Sequence, residues 1–384
     1  MRLWHHEFGM LAFANLLLTM SVYMQIPFLS EWLSARFDPL HTGLVMGSCG
    51  VGLFLFGPYC SYWVQRYRRN RVYMFSVVLL TAAILCMFAC MEKIVYWHIN
   101  AWMLTGLRIF SGAAFGLTQM VLCSTLIVDA CESELRTQAN CTVAWFGRFA
   151  LPLGMISALF CRRFFGDEVL LVAAACAFFS LILIALVKFP FRAPEETVHI
   201  ASIDRFYLKE GTPLFVNLAL LTTVVGMILT LNLQPLFFGL MALGFVLVVL
   251  AEKFILPGMT LSTETVAGMV LTVSSLILAL CGLGTTPAFY VAPVMLGMGV
   301  GLVGSFFLLL FIRLSHHCQR GTSQSSFILS WELGVSVGLF AGFALFSGKT
   351  QEPPMLWTAL VLTVASLLLF LFFTLPWYGR HKKR

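Results

Sequence analysis

The sequence predicts an all-helical membrane protein of twelve transmembrane helices in two six-helix bundles, with both termini in the cytoplasm. Three observations predict it. Hydrophobic residues make up 60% of the 384 positions and charged residues only 11%. Apolar runs of bilayer length recur along the whole chain, and one polar stretch divides them six and six. A soluble domain carries roughly 25% charged residues, and too few polar residues exist here to cover a water-exposed surface.

The runs fall at 8–29, 43–64, 72–90, 101–128, 141–164, 168–189, 213–232, 234–252, 265–283, 287–313, 324–347 and 355–377. A helix of about 20 residues crosses a bilayer. The first run is too long for a signal-peptide core and ends without a small-residue cleavage site, so it reads as the first span. Only Asn232, Leu233 and Gln234 separate runs seven and eight, which predicts a tight turn. The stretch Pro190 to Pro213 holds Pro194, Glu195, Glu196, Asp204, Arg205 and Lys209. It reads as a cytoplasmic linker, 190–212, between an N-terminal bundle, 1–189, and a C-terminal bundle, 213–384. No internal repeat is legible residue by residue.

Charge assigns the orientation. Of the 24 Lys and Arg residues, 17 fall in segments that are inside when the N-terminus is cytoplasmic, among them Arg2, Arg192, Lys383 and Arg384. Five fall outside: Arg36, Lys93, Arg162, Arg163 and Lys349. This bias satisfies the positive-inside rule. The net charge of +7 therefore reports topology, and no nucleic-acid partner is expected. The basic tail Gly379 to Arg384 reads as a topology determinant; contact with anionic headgroups of the lipid bilayer is the alternative. The eleven cysteines contain no C-x-x-C pair. Most lie in apolar runs, where a thiol behaves as a small hydrophobe, so neither a disulfide framework nor a metal site is expected.

Between spans two and three the chain reads Gly57-Pro58-Tyr59-Cys60-Ser61-Tyr62-Trp63-Val64-Gln65-Arg66-Tyr67-Arg68-Arg69-Asn70-Arg71. This resembles the loop of the major facilitator superfamily (MFS), with a Gly late in span two and then, eight residues on, Asp-Arg-x-Gly-Arg-Arg. Gly57, Pro58, Arg66, Arg69 and Arg71 match; Gln65 stands where the family has Asp, and Arg68 where it has Gly. Span four adds Leu107-Arg108-Ile109-Phe110-Ser111-Gly112, similar to the family's Arg-x-x-x-Gly segment. Asp129 closes span four, followed by Arg136-Thr137-Gln138-Ala139. The resemblance implies the MFS fold and alternating access by a monomer in the cytoplasmic membrane, plasma or bacterial inner. It also implies a conformational clasp of Gly57, Gln65, Arg66, Arg69 and Asp129, in which Arg69 pairs with Asp129. No copy of the loop is evident between spans eight and nine, at Glu252-Lys253-Phe254-Ile255-Leu256-Pro257.

Charges deep in apolar spans are the informative positions, because each costs about 2.5–3.5 kcal/mol at the bilayer centre unless paired or wet. Arg108, Arg148 and Glu332 are such charges. At helical spacing Arg108, Gly112, Phe115 and Gln119 share one face. The family's span four lines a central cavity, so this face is either a substrate-binding wall or an Arg tying helices together through carbonyls. Arg148 presents a planar fork suited to an anionic group on a solute; a structural ion pair with Glu332 is the other reading. Burial favours a neutral carboxyl and a nearby Arg the charged form. Where burial wins, Glu332 takes up and releases a proton and couples transport to a proton gradient. Asn15 and Thr19 share a face of span one and are further candidate contacts, while Tyr23 and Pro27 shape its outer end.

Other motif matches carry no chemistry. Gly299-Val300-Gly301-Leu302-Val303-Gly304 fits G-x-G-x-x-G but lies inside a span without a preceding strand. Small residues at this spacing let membrane helices approach closely, and Gly334, Gly338 and Gly342 read the same way. No nucleotide site, cofactor or enzymatic acid–base–nucleophile set is expected. The expected function is secondary transport of a small organic solute, with protons as coupling ion and efflux as the direction. The alternative is a non-transporting membrane sensor or assembly protein on the same fold.

Overall fold

The computed structural model describes residues 3–92, 100–189, 198–231, 234–255, 260–282, 286–316, 319–347 and 352–382. The expected turn at Asn232–Leu233 and the linker residues Arg192, Pro194, Glu195 and Glu196 lie outside the described residues. So do Arg2, Lys93, Pro257, Lys349, Lys383 and Arg384.

Among the described residues twelve helices are long and apolar enough to span a bilayer, and there is no strand. They are α1 (His6–Ser34), α2 (Pro39–Arg66), α3 (Arg69–Glu92), α4 (Ala101–Ala130), α5 (Arg136–Phe165) and α6 (Val169–Leu186). The second six are α7 (Lys209–Ile228), α8 (Pro235–Phe254), α9 (Leu261–Cys281), α10 (Ala288–Leu314), α11 (Arg320–Leu345) and α12 (Glu352–His381). Each overlaps one apolar run. Most extend beyond it by a few residues, because a helix whose backbone groups are bonded internally can continue into the headgroup zone. Pro39 and Pro235 start α2 and α8, where a missing N–H costs nothing. Asn100 caps α4 by accepting from the Met103 N–H at 3.0 Å.

The packing carries a repeat that the residues conceal. In the first six helices α1 packs on α5 and α6, α2 on α4, and α3 on α4 and α6. Adding six to each number reproduces the second half: α7 on α11 and α12, α8 on α10, and α9 on α10 and α12. The halves meet along two seams, α2 against α11 and α5 against α8, which the same operation exchanges.

The first seam is built on absent side chains. Gly43, Gly47 and Gly50 of α2 face Ala344, Phe340 and Ser336 of α11, and a Cβ on Gly47 would lie 2.6 Å from the Phe340 Cβ. Gly334, Gly338 and Gly342 use the other side of α11 against α7 in the same manner. Close backbone approach gains dispersion where lipid offers no hydrophobic drive. The second seam is aromatic: the Phe245 ring of α8 packs 6.0 Å from Trp145 and 5.6 Å from Phe149 of α5.

At the face that bears both termini, the linker straps the first seam. The Ser202 N–H donates to the Pro58 carbonyl of α2 at 2.8 Å. The Arg205 and Leu208 N–H groups donate to Thr322 and Ser326 hydroxyls of α11 at 3.0 and 2.7 Å. Thr322 in turn donates to Asp204 at 3.2 Å. A left-handed turn at Arg205, φ 59°, drops the Phe206 ring onto Gly57 and edge-on to Phe54. Any side chain at Gly57 would occupy that ring's place.

Two outcomes follow. Gly47→Leu overpacks the seam and should lower stability by about 1–3 kcal/mol, read as a lower melting temperature in detergent. Gly106→Leu, where a Cβ meets nothing within 4 Å, should leave it unchanged. Phe206→Ala removes roughly 1.5 kcal/mol of burial. It should raise alkylation of the buried Cys60 beneath the strap about tenfold, measured by peptide mass spectrometry.

Candidate functional site

Two prolines shape the middle of the molecule. Pro27 denies the carbonyl four residues back its helical donor, so α1 breaks at Met24, beside Tyr23. Pro152 does the same to the carbonyl of Arg148 in α5. In α4 the helix widens to a π-turn over Leu122–Leu126, and Gly321 of α11 packs on Ser124 within it. The three irregularities surround the place where the halves meet.

A cavity of about 40 Å³ lies there, lined by residues of α1, α4, α5 and α11. This is room for roughly three waters. Asn15, Thr19, Gln119, Arg148 and Glu332 all line it, together with Gln324 and Trp331. The Gln119 amide donates to Thr19 Oγ1 at 2.7 Å, tying α4 to α1. The Asn15 amide donates to the Val143 carbonyl of α5 at 2.9 Å, leaving its Oδ1 without a partner.

The two charges do not pair with each other. Glu332, 9% exposed, accepts the single Tyr23 hydroxyl proton, shared between its two carboxylate oxygens at 3.1 and 3.2 Å. This contact reaches from the break in α1 across to α11. Arg148, 3% exposed, stacks its guanidinium 3.9 Å from the centre of the Trp145 ring. Its Nη1 reaches the Gly301 carbonyl of α10 at 3.5 Å, the far limit of a hydrogen bond. Gly304 leaves the space that Arg148 and Trp331 fill. Trp145 donates from Nε1 to Glu252 of α8 at 3.3 Å, a polar bond across the second seam. The G-x-G-x-x-G run thus sits in α10 as packing surface, with Gly299 facing α9 and Gly304 facing Arg148.

Arg108 and Phe115 sit elsewhere. Arg108, 1% exposed, donates to Gln25 Oε1 at 2.8 Å, and Gln25 donates onward to the Ser21 carbonyl. The arginine braces the break in α1 from within the first half and is not among the cavity-lining residues. Gly112 opens its face toward the Cys49 carbonyl of α2 rather than toward the cavity, and Phe115 is buried in the core.

At the termini-bearing face Arg69 and Asp129 form an ion pair, with both side chains largely buried. Gln65 donates to Ser61 within its own helix at 2.8 Å. Arg66 is exposed. Arg205 of the strap lies close enough that burial, and then the positive charge of Arg69, hold its guanidinium below the usual arginine value. Sequence reasoning missed this third cation, the Tyr23–Glu332 contact and the Trp145–Glu252 bond. Pro27 four residues after Tyr23 was the one available signal for the first of these polar contacts. No group of metal-ligating side chains occurs among the described residues.

Solved structures share this architecture at low identity. A bacterial homologue of the iron transporter ferroportin, in its outward-facing state, superposes with a TM-score of 0.67 at 15% identity, covering 98% of this chain and all of that one. The human organic anion transporter MFSD10 (TETRAN) gives 0.69 at 14% identity, covering 95% of this chain and all of its own. The nucleoside transporter NupG gives 0.65 at 14% identity with the same coverage. Among curated proteins none matches the sequence. A sequence profile of the Major Facilitator Superfamily matches residues 11–339, and the chain belongs to that family.

Proposed function

We propose that the chain is a proton-coupled secondary transporter that moves a small organic solute by alternating access. The observation that carries this reading is the cavity at the meeting of the halves. It holds a carboxylate, Glu332, bonded across the interface by Tyr23. A purely structural bundle has little use for a charge at that depth. The bundles 1–189 and 213–384 rock about this cavity, joined by the linker 190–212, with both termini cytoplasmic. The similar solved structures are described as a bacterial homologue of an iron transporter, an organic anion transporter and a nucleoside transporter, so fold alone leaves the solute class open. Efflux by exchange with protons, from the cytoplasmic membrane and as a monomer, is the direction the family resemblance favours.

When the halves rock, Tyr23 and Glu332 separate or change partners, because one belongs to α1 and the other to α11. A carboxylate that loses its donor in a dry site must gain a proton or water. That couples the proton state of Glu332 to the position of the halves. Asn15, Thr19 and Gln119 offer the solute donors and acceptors. The clasp of Arg69 and Asp129 ties α3 to α4 within the first half, beside the strap, and shapes the surface that closes on the cytoplasmic side.

The test begins with the purified protein melted against sugars, organic acids, amino acids and cationic drugs at two pH values, since a ligand of the folded state raises the melting temperature. The compound found is then followed in proteoliposomes. Glu332→Gln should reduce pH-driven transport to background while counterflow exchange is partly retained. Equal loss of both activities would remove the proton role from Glu332. Arg69→Ala should weaken the closed state by about 1–3 kcal/mol, between exposed and buried ion pairs. It should slow switching with solute affinity unchanged; a change in affinity alone would count against the clasp.

A further inference from the structure

We infer that the solute carries a carboxylate and that Arg148 receives it edge-on, an inference that rests on the transporter reading above. The guanidinium is buried and only one of its nitrogens is occupied: Nη1 reaches Gly301, while Nε and Nη2 have no partner. Those two nitrogens form one edge of the planar group. Their N–H bonds run parallel, the geometry that grips the two oxygens of a carboxylate together. The faces are not available in the same way, because Trp145 covers one of them at 3.9 Å. What remains unpaired is the buried edge, and Arg148 is among the residues that line the cavity.

The protein's own carboxylates do not fill this place. Glu332 in the same cavity is held by Tyr23, and Glu252 of α8, whose charge acts on Arg148, accepts from Trp145 through Oε2, keeps Oε1 unpartnered and makes no ion pair with the guanidinium. No ion pair joins Arg148 to any described carboxylate. An unpaired cation in a bilayer interior is expensive unless something arrives to meet it. The other unpartnered groups at the cavity extend the pattern. Asn15 Oδ1 is a free acceptor, and Gln324 has the weakly bonding Cys123 thiol as its polar neighbour. A carboxylate bearing a hydroxyl or amino donor close by would meet Arg148 with its oxygens and Asn15 or Gln324 with its donor. Trp331 and Phe327 supply the apolar wall for the rest. Lys in place of Arg148 would keep the charge but lose the fork.

The experiment uses the full-length protein in detergent and matched acid–amide pairs: acetate and acetamide, lactate and lactamide, benzoate and benzamide, with chloride balancing the ionic strength. At least one acid should raise the melting temperature by about 2–4 °C at saturation, with its amide silent. The shift should vanish in Arg148→Gln and be reduced in Arg148→Lys. The unliganded Arg148→Gln protein should melt at or above wild type, because its amide relieves a buried unpaired charge; a merely structural arginine would melt lower when removed. Acids and amides acting alike, an acid shift that survives Arg148→Gln, or no acid acting on wild type would each overturn the assignment. Proton-driven transport of a neutral solute, lost in Glu332→Gln, would leave the transporter reading standing while this one fell.

Discussion

Two seams hold the halves of this molecule together, and everything placed at the centre depends on how those seams are made. Inside a bilayer the backbone of each helix is satisfied by itself. What joins one helix to the next must then be shape, a few polar side chains, or both. The chain uses one of each. Along α2 and α11 the contact is made by Gly43, Gly47 and Gly50, which bring backbones together without a side chain between them. Along α5 and α8 it is made by the rings of Trp145, Phe149 and Phe245, closed by a single bond to Glu252. Both are surfaces that can separate without tearing a hydrogen-bonded ladder. The cavity lies between them.

The two charges at the centre solve the same problem differently. Glu332 finds a neutral donor, Tyr23, on the opposite half. Arg148 finds an aromatic face and one distant carbonyl. Neither arrangement neutralises its charge. A structural pair between them would have done so, and would also have locked α5 to α11. Keeping them apart leaves each charge open to another partner, and leaves α5 and α11 without a salt bridge between these two residues. Arg108 marks the contrast: it is equally buried, yet it braces α1 through Gln25 and faces away from the cavity.

Much of the fold was legible because the bilayer imposes length and composition on every span. Twelve apolar runs became twelve helices; most continued a few residues into polar sequence, while α6, α7, α9 and α11 ended two to four residues before their runs did. The repeat was not legible, since it resides in which helices touch and not in which residues recur. Site residues were legible where chemistry alone marks them: a Glu, an Arg, an Asn and a Gln in apolar surroundings stand out without any structure. Their mutual placement was not, because the rotation of a span about its axis is set by neighbours. Arg108 and Phe115 were grouped with Gln119 by helical periodicity, and α4 does present one continuous face. That face, however, passes from α2 at Gly112 to α1 at Gln119, and only its lower part reaches the cavity. The strap was hidden for a further reason. Its turn at Arg205 needs a left-handed backbone at a residue that gives no sign of adopting one.

The strap is also the covalent connection between the halves, and this has a kinetic consequence. Were the first seam to part at that face, the contacts broken would be those of Ser202 and Phe206 to α2, because the bonds of Asp204, Arg205 and Leu208 run to α11 within the second half. The linker would keep Ser202 and Phe206 at a high effective concentration beside α2, on the order of millimolar. The glycine contacts at the far end of the same seam have no such tether. A fold symmetric in its helix pairings is therefore asymmetric in its connection.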